Sequence, residues 1–292
     1  MAPLSAFYIF LLAALAVLLA YMEYVEPRQR RLNPHHVKIR KKLPRPLRIL
    51  HLTDTHFAGP NAPLAAFFDR LAQETYDFIF VTGDIMDCDA GLPYCLENFK
   101  KLKSKYGIFA VFGNHDYFDF KFFDAITHNF PGQPYPRQKN NINLFAEEFK
   151  KIGVHALRNE TVSLRIDGVP VLIHGLDDPT TGHANLRRTM QNFDPGKVNI
   201  LLTHTVDAFL DIGENEIDLS FSGHSHGGQV RLPFWGPVIT HTRIGRRYAS
   251  GIHTIQGAVC CIGRGLHASR FLFIRLLCPP EAILLTVEGG RT

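Results

Sequence analysis

Five short apolar runs in this chain each end in a cluster of Asp, His or Asn, and no other feature restricts the fold as much. Residues 47–53 lead into Asp54 and His56, and residues 77–83 lead into Asp84 and Asp87. Residues 107–113 lead into Asn114, His115 and Asp116. Residues 197–203 lead into His204, and residues 217–223 into His224 and His226. The runs are rich in β-branched and aromatic residues with little alternation, the pattern of strands buried on both faces. Helix-like stretches at 63–74 and 92–105 separate the first three, giving β-α-β order. Asp167-Gly168 lies between two strand-like runs within 161–175, which is a hairpin signal. The segments GGQVRLP, QGAVCCIG, RFLFIRLL and EAILLTV continue as strands without long helices between them. The expected fold class is α/β: a four-layer αββα sandwich, two sheets face to face with helices outside.

A chain of 292 residues can bury a sizeable core, and 46% apolar with 20% charged residues excludes a disordered chain. The net charge of +5 is concentrated. Arg28, Arg30, Arg31, Lys38, Arg40, Lys41, Lys42, Arg45 and Arg48 fall in one stretch with no acidic residue among them. A single basic block without interleaved aromatics does not read as a nucleic-acid surface. No obligate protein partner is evident either. The five cysteines, Cys88, Cys95, Cys260, Cys261 and Cys278, are odd in number and lack C-x-x-C spacing, so free thiols are expected.

Residues 1–22 carry no charged side chain, and about 20 apolar residues span the hydrocarbon layer as a helix. A cleaved signal peptide is the alternative, but it wants positive charge before the apolar core, and here the charge follows. The positive-inside rule then expects a single-pass inner-membrane protein with its catalytic domain on the cytoplasmic face. The expected division is an anchor over 1–24, a basic juxtamembrane linker over 25–46 and a catalytic domain over 47–292. The linker reads either as a solvated spacer broken by prolines or as a strap on anionic headgroups, each basic residue adding about 1 kcal/mol.

Carboxylate, imidazole and amide donors mixed at strand ends suit Mn²⁺, Fe or Zn²⁺ in a reactive site, not a thiolate-type structural zinc. The series DxH–GDxxD–GNHD–H–GHxH resembles the calcineurin-like metallophosphoesterase superfamily, from about Arg48 to about Thr286. GGQVRLP after GHSH, then RIGRRYASG, is similar to a membrane-associated, YaeI-like bacterial branch, which includes a UDP-2,3-diacylglucosamine pyrophosphatase of lipid A synthesis. The resemblance implies two divalent ions, with Mn²⁺ expected and Fe, Zn²⁺ or Mg²⁺ as alternatives. It implies Asp54, His56 and His226 on the first ion, Asn114, His204 and His224 on the second, and Asp84 bridging. It implies that His115 protonates the leaving oxygen, with Asp87 orienting that imidazole; Asp87 as a helix N-cap is the other reading. Asp116 is expected to support the ligands from behind. Arg246, Arg247 and Arg264 could contact anionic substrate, and the remaining histidines are expected to be structural.

Residues 117–144 look like an insertion relative to that branch, with Tyr117, Phe118, Phe120, Phe122, Phe123 and Phe130 in it. They form either a cap helix buried on the core or a hydrophobic lip over the site. The expected activity is hydrolysis of a lipid-linked phosphoester, with UDP-2,3-diacylglucosamine as substrate and UMP as product. Alternatives are a broad phosphodiesterase acting on phospholipid or cell-wall substrates, and a catalytically silent metal-binding scaffold.

Overall fold

The computed structural model describes residues 2–127, 135–136, 139–213, 216–267 and 274–290. Its strands in chain order are β1 Arg31–Lys38, β2 Leu47–Leu52, β3 Phe78–Thr82, β4 Ile108–Val111, β5 Val154–Ala156 and β6 Glu160–Ile166. They continue as β7 Val169–Gly175, β8 Val198–Leu202, β9 Leu219–Ser222, β10 Gly251–Ile255, β11 Ala258–Ile262 and β12 Glu281–Glu288. The helices used below are α1 Ala2–Ala20, α2 Ala62–Leu71, α3 Leu92–Phe99, α4 Phe122–Thr127 and α5 Ile142–Lys151.

Two six-stranded sheets form, in the orders β1-β12-β2-β3-β4-β5 and β10-β11-β9-β8-β7-β6. The centres of both are parallel: β2 with β3 and β3 with β4 in one, β7 with β8 and β8 with β9 in the other. All five residues of β3 and of β8 are buried, because each strand is covered on both faces. Alternate side chains divide the work. Ile49, Phe78, Phe80 and Phe109 of the first sheet meet Ile173, Ile200, Leu202 and Phe221 of the second. Leu50, Leu52, Ile79 and Val81 face the other way, onto Phe68 of α2, Phe99 of α3 and Phe149 of α5. The outer face of the second sheet is covered more thinly among the described residues, by the short turns Leu186–Thr189 and Val206–Leu210. The mixed two-sheet α/β architecture agrees with expectation. The predicted hairpin also forms: Asp167 (φ 46°) and Gly168 (φ 93°) close β6 onto β7, where two successive left-handed residues make a type I′ turn.

Three segments differ from expectation. Residues 31–38 lie in the stretch read as a linker, yet they pair parallel with β12 as the edge strand of the first sheet. An edge tolerates Pro34 because one side of the strand needs no ladder partner. Of RFLFIRLL, only Ile274–Leu277 is described, and it makes one isolated bridge, Val230 to Leu276, instead of a strand. The aromatic stretch 117–144 splits between its two readings. Tyr117, Phe118 and Phe120 are buried, Phe122 and Phe123 of α4 are exposed, and Phe130 lies outside the described residues. The five cysteines are free and buried.

Phe80 is fully buried between the sheets, its ring 4.9 Å from that of Phe221 and 5.4 Å from that of Phe78. Phe80→Ala should cost about 3–5 kcal/mol in denaturant unfolding. A loss below about 1 kcal/mol would mean that the two sheets do not depend on this interlayer contact.

Candidate metal centre

The five polar clusters come together because β2, β3 and β4 of one sheet and β8 and β9 of the other end at one edge. The strand ladder runs on past the strands there: Asp54 N donates to Gly83 O and His56 N to Asp84 O, each at 3.0 Å. The two sheets are tied at this edge by His204, whose Nδ1 lies 2.9 Å from Thr82 O. A carbonyl only accepts, so that contact fixes the proton on Nδ1 and leaves the Nε2 lone pair bare. Asp87 Oδ1, 2.7 Å from His56 Nδ1, does the same for His56.

The bare nitrogens face other donors. His56 Nε2 is 3.3 Å from His226 Nε2, and His204 Nε2 is 3.1 Å from His224 Nδ1. Asp84 Oδ2 stands between the two pairs, 3.4 Å from His204 Nε2 and 3.9 Å from His56 Nε2. Asp54 Oδ1 is 3.5 Å from His226 Nε2. Three groups result, Asp54–His56–Asp84–His226, Asp84–His204–His224 and His56–Asp87–His115, the ligand atoms of each within 4.8 Å of one another. Asn114 Oδ1 is buried with no hydrogen-bond partner among the described residues, an amide oxygen that a cation would satisfy. The donor set therefore fits a pair of divalent ions sharing Asp84. Burial, reinforced by the neighbouring imidazoles, pushes His224 and His226 well below the usual histidine range, which keeps them in the neutral ligand form. Burial would raise Asp84, but His204, His115 and His56 together outweigh it and hold this carboxyl well below the usual range. The reciprocal attraction of the carboxylates raises His56 to about 9 and His204 well above the usual histidine range, and a bound cation would displace those protons.

His115 is the second residue of a one-turn helix, Asn114–Tyr117. Its Nδ1 lies 2.8 Å from Asp87 Oδ1. Phe120 stacks on its ring at 4.3 Å. Asp87 thus faces both His56 and His115, and the following turn, Asp89–Gly91, is N-capped by Cys88 instead. Asp54, His56, Asp84, His224 and His226 all have left-handed backbone, φ between 46° and 70°. Such conformations cost about 1–3 kcal/mol each and persist where surrounding structure imposes them.

Several contributors lie outside the expected ligand set. Asp116 clasps two ligand loops: Oδ1 accepts from Ile85 N and Met86 N, and Oδ2 from Gly113 N, all at 2.9 Å. His241, read as structural, lines the cleft beside His224. Arg246, Arg247 and Arg264 do not line it; they meet Trp235, Tyr248 and Glu281 respectively. His51 and His174, read as structural, are buried with hydrogen-bond partners in Thr82 and Asn199. Asp116→Asn must turn an amide N–H₂ toward a backbone N–H, so a fall of about 1–3 kcal/mol in stability is expected with reduced metal content. Unchanged melting and metal stoichiometry would remove Asp116 from the support of the site.

Residues 47–228 match the family described as calcineurin-like phosphoesterase. YkoQ of Bacillus subtilis, an uncharacterized metallophosphoesterase, is 30% identical over 64% of this chain and 63% of its own length, so the chain spans less than two thirds of that relative. The phosphodiesterase YaeI of Escherichia coli is 26% identical over 91% of each chain. The UDP-2,3-diacylglucosamine pyrophosphatase LpxG of Chlamydia trachomatis is 26% identical over 94% of each. The family match covers more than half of the chain and the donor clusters lie where the two sheets meet, so this chain belongs to the calcineurin-like phosphoesterases and is a metal-dependent hydrolase.

Proposed function

We propose that this hydrolase acts on a lipid-linked phosphoester at a membrane surface, cleaving the pyrophosphate of UDP-2,3-diacylglucosamine to 2,3-diacylglucosamine 1-phosphate and UMP. The observation that carries this reading is the cleft onto which the donors open, about 690 Å³ in volume. Its floor holds Asp84, Asn114, His115 and His224, and its walls include Phe120, Tyr135, Val230, Val238, Ile239 and Ile274. A charged floor under apolar walls suits a substrate with a phosphate at one end and acyl chains at the other. Residues Ser5–Arg28 are long and apolar enough to cross a membrane, and the foot of this segment touches the same wall: Arg275, next to Ile274, donates its N–H to Met22 O at 2.9 Å. The basic stretch that follows supports a cytoplasmic-face location. The similarity to LpxG supports the substrate.

In this reading Asp54, His56 and His226 would hold one ion and Asn114, His204 and His224 the other, with Asp84 shared; Mn²⁺ is the proposed metal. When bound, two such ions would supply positive charge for the attacked phosphoryl group and activate water. His115 then protonates the leaving oxygen from Nε2, since Nδ1 faces Asp87. The Asp87 carboxylate, 2.8 Å from Nδ1, holds the ring in place. A second reading, a phosphodiesterase of wider specificity, is favoured by the similarity to YaeI.

Detergent-solubilised enzyme with Mn²⁺ should release UMP from UDP-2,3-diacylglucosamine. Turnover of soluble phosphodiesters alone would select the second reading. His115→Ala should lower kcat by about 10²–10⁴-fold while metal content by elemental analysis stays at the wild-type value. Undiminished turnover would exclude His115 from proton transfer.

A further inference from the structure

A second cavity, about 440 Å³, lies at the foot of the N-terminal segment. Glu23, Tyr24, Pro27, Arg28 and Arg30 form one side of it, and residues 60–63, where α2 begins, form another. His267 and Arg275 complete the lining. Arg275 is fully buried. Its Nη1 donates to Cys278 O at 3.1 Å, and its Nη2 to Arg264 O at 2.9 Å and His267 O at 2.7 Å. Its Nε is buried with no hydrogen-bond partner among the described residues. Arg30 is half-buried: Nε donates to Leu266 O at 3.0 Å, and Nη1 is buried without a partner among the described residues.

These bonds go to neutral carbonyls, so they satisfy N–H groups without cancelling charge. Burial, then Arg275 and Arg28, push Arg30 down to about 10, which leaves it protonated at neutral pH. The acidic groups nearby are engaged elsewhere. Glu26 accepts from Leu277 N and Cys278 N, Glu281 pairs with Arg264 at 3.6 Å, and Asp54 belongs to the metal centre. Glu23 is the acidic side chain among the lining residues, against three guanidiniums. A desolvated guanidinium such as that of Arg275 is costly without a full counter-charge, and an anion in the cavity lowers that cost. A phosphate suits the planar donor forks of arginine. The first turn of the ten-residue α2 adds a favourable partial charge.

We infer that this cavity binds the phosphate of an anionic phospholipid headgroup through Arg28 and Arg30, with the buried Arg275 guanidinium adding positive charge behind them. A lipid is favoured over free phosphate because one side of the cavity is the last turn of the Ser5–Arg28 segment, where a membrane-crossing helix reaches headgroup depth. The inference rests on that segment lying in a bilayer and is independent of which phosphoester the metal centre cleaves.

The test uses full-length protein in detergent with three probes: short-chain phosphatidylglycerol, short-chain phosphatidylcholine and inorganic phosphate. Native mass spectrometry and Tm shifts report binding. Phosphatidylglycerol should stay bound and raise Tm, and phosphatidylcholine should bind at least about tenfold more weakly. Arg28→Gln/Arg30→Gln should lose at least about tenfold in affinity for phosphatidylglycerol, while Arg30→Lys keeps most of it. Arg28→Gln alone, at an exposed position, gives a smaller loss and covers the case in which the double variant does not fold. Hydrolysis of a chromogenic diester should be unchanged in these variants, so a failure here is separable from failure of the UMP assay. Equal binding of the two lipids, or of wild type and double variant, overturns the site. Inorganic phosphate binding as tightly as phosphatidylglycerol, and lost in the double variant, overturns the lipid assignment. Phosphate binding that survives the double variant belongs to the metal centre and counts against the site.

Discussion

Asp84 is 2% exposed, and both of its carboxylate oxygens are committed. Oδ1 accepts from His115 N at 2.8 Å, and Oδ2 faces His204 from one sheet and His56 from the other. Removing a carboxylate this far from water costs several kcal/mol unless positive charge surrounds it, so the layers must deliver donors to one point. That demand explains the glycines of the motifs. A Cβ on Gly113 would stand 2.4 Å from Asp84 Oδ1, and one on Gly223 would stand 1.9 Å from Thr53 Oγ1 and 2.3 Å from Asp54 Oδ2. It also explains the five left-handed residues among the candidate donors, where backbone strain is accepted so that short loops can turn side chains back over the sheet edge.

The sequence was most informative where one segment carried its own signal. β2, β3, β4, β8 and β9 were legible as apolar runs, and the Asp167-Gly168 turn as a dipeptide that tolerates positive φ. The motif residues were legible because their types and spacing recur together at strand ends. Features that depend on a distant partner were not. Nothing in RLNPHHVK alternates or looks buried, and it is a strand only because β12, some 250 residues on, presents a free edge to it. Asp116 was legible as a support behind the donors, but its three backbone partners, which come from two different loops, were not. The stacking of Phe120 on His115 could be suspected from an aromatic stretch beside a catalytic motif, but not assigned to one of six aromatic rings.

β1 changes what the basic segment means mechanically. A solvated linker would leave the catalytic unit free to swing beneath an anchor. Here the chain leaves α1 through two short helical turns and enters the first sheet within a few residues, so little free chain lies between them. Glu26 is buried and caps Leu277 N and Cys278 N, and Met22 O accepts from Arg275 N.

The same contacts extend into the cleft. Leu276 N donates to Gln229 O and Arg231 N donates to Leu276 O, each at 2.9 Å, which ties the segment after Ile274 to the loop carrying Val230. Ile274 and Val230 both line the cleft. Backbone hydrogen bonds therefore run without a break from the foot of the apolar helix to the wall above the donors. With α1 in a bilayer, this fixes the depth and tilt of the cleft as well as its proximity to the membrane. That joint fits the lipid-linked substrate proposed above, which would enter the cleft past Ile274 and Val230.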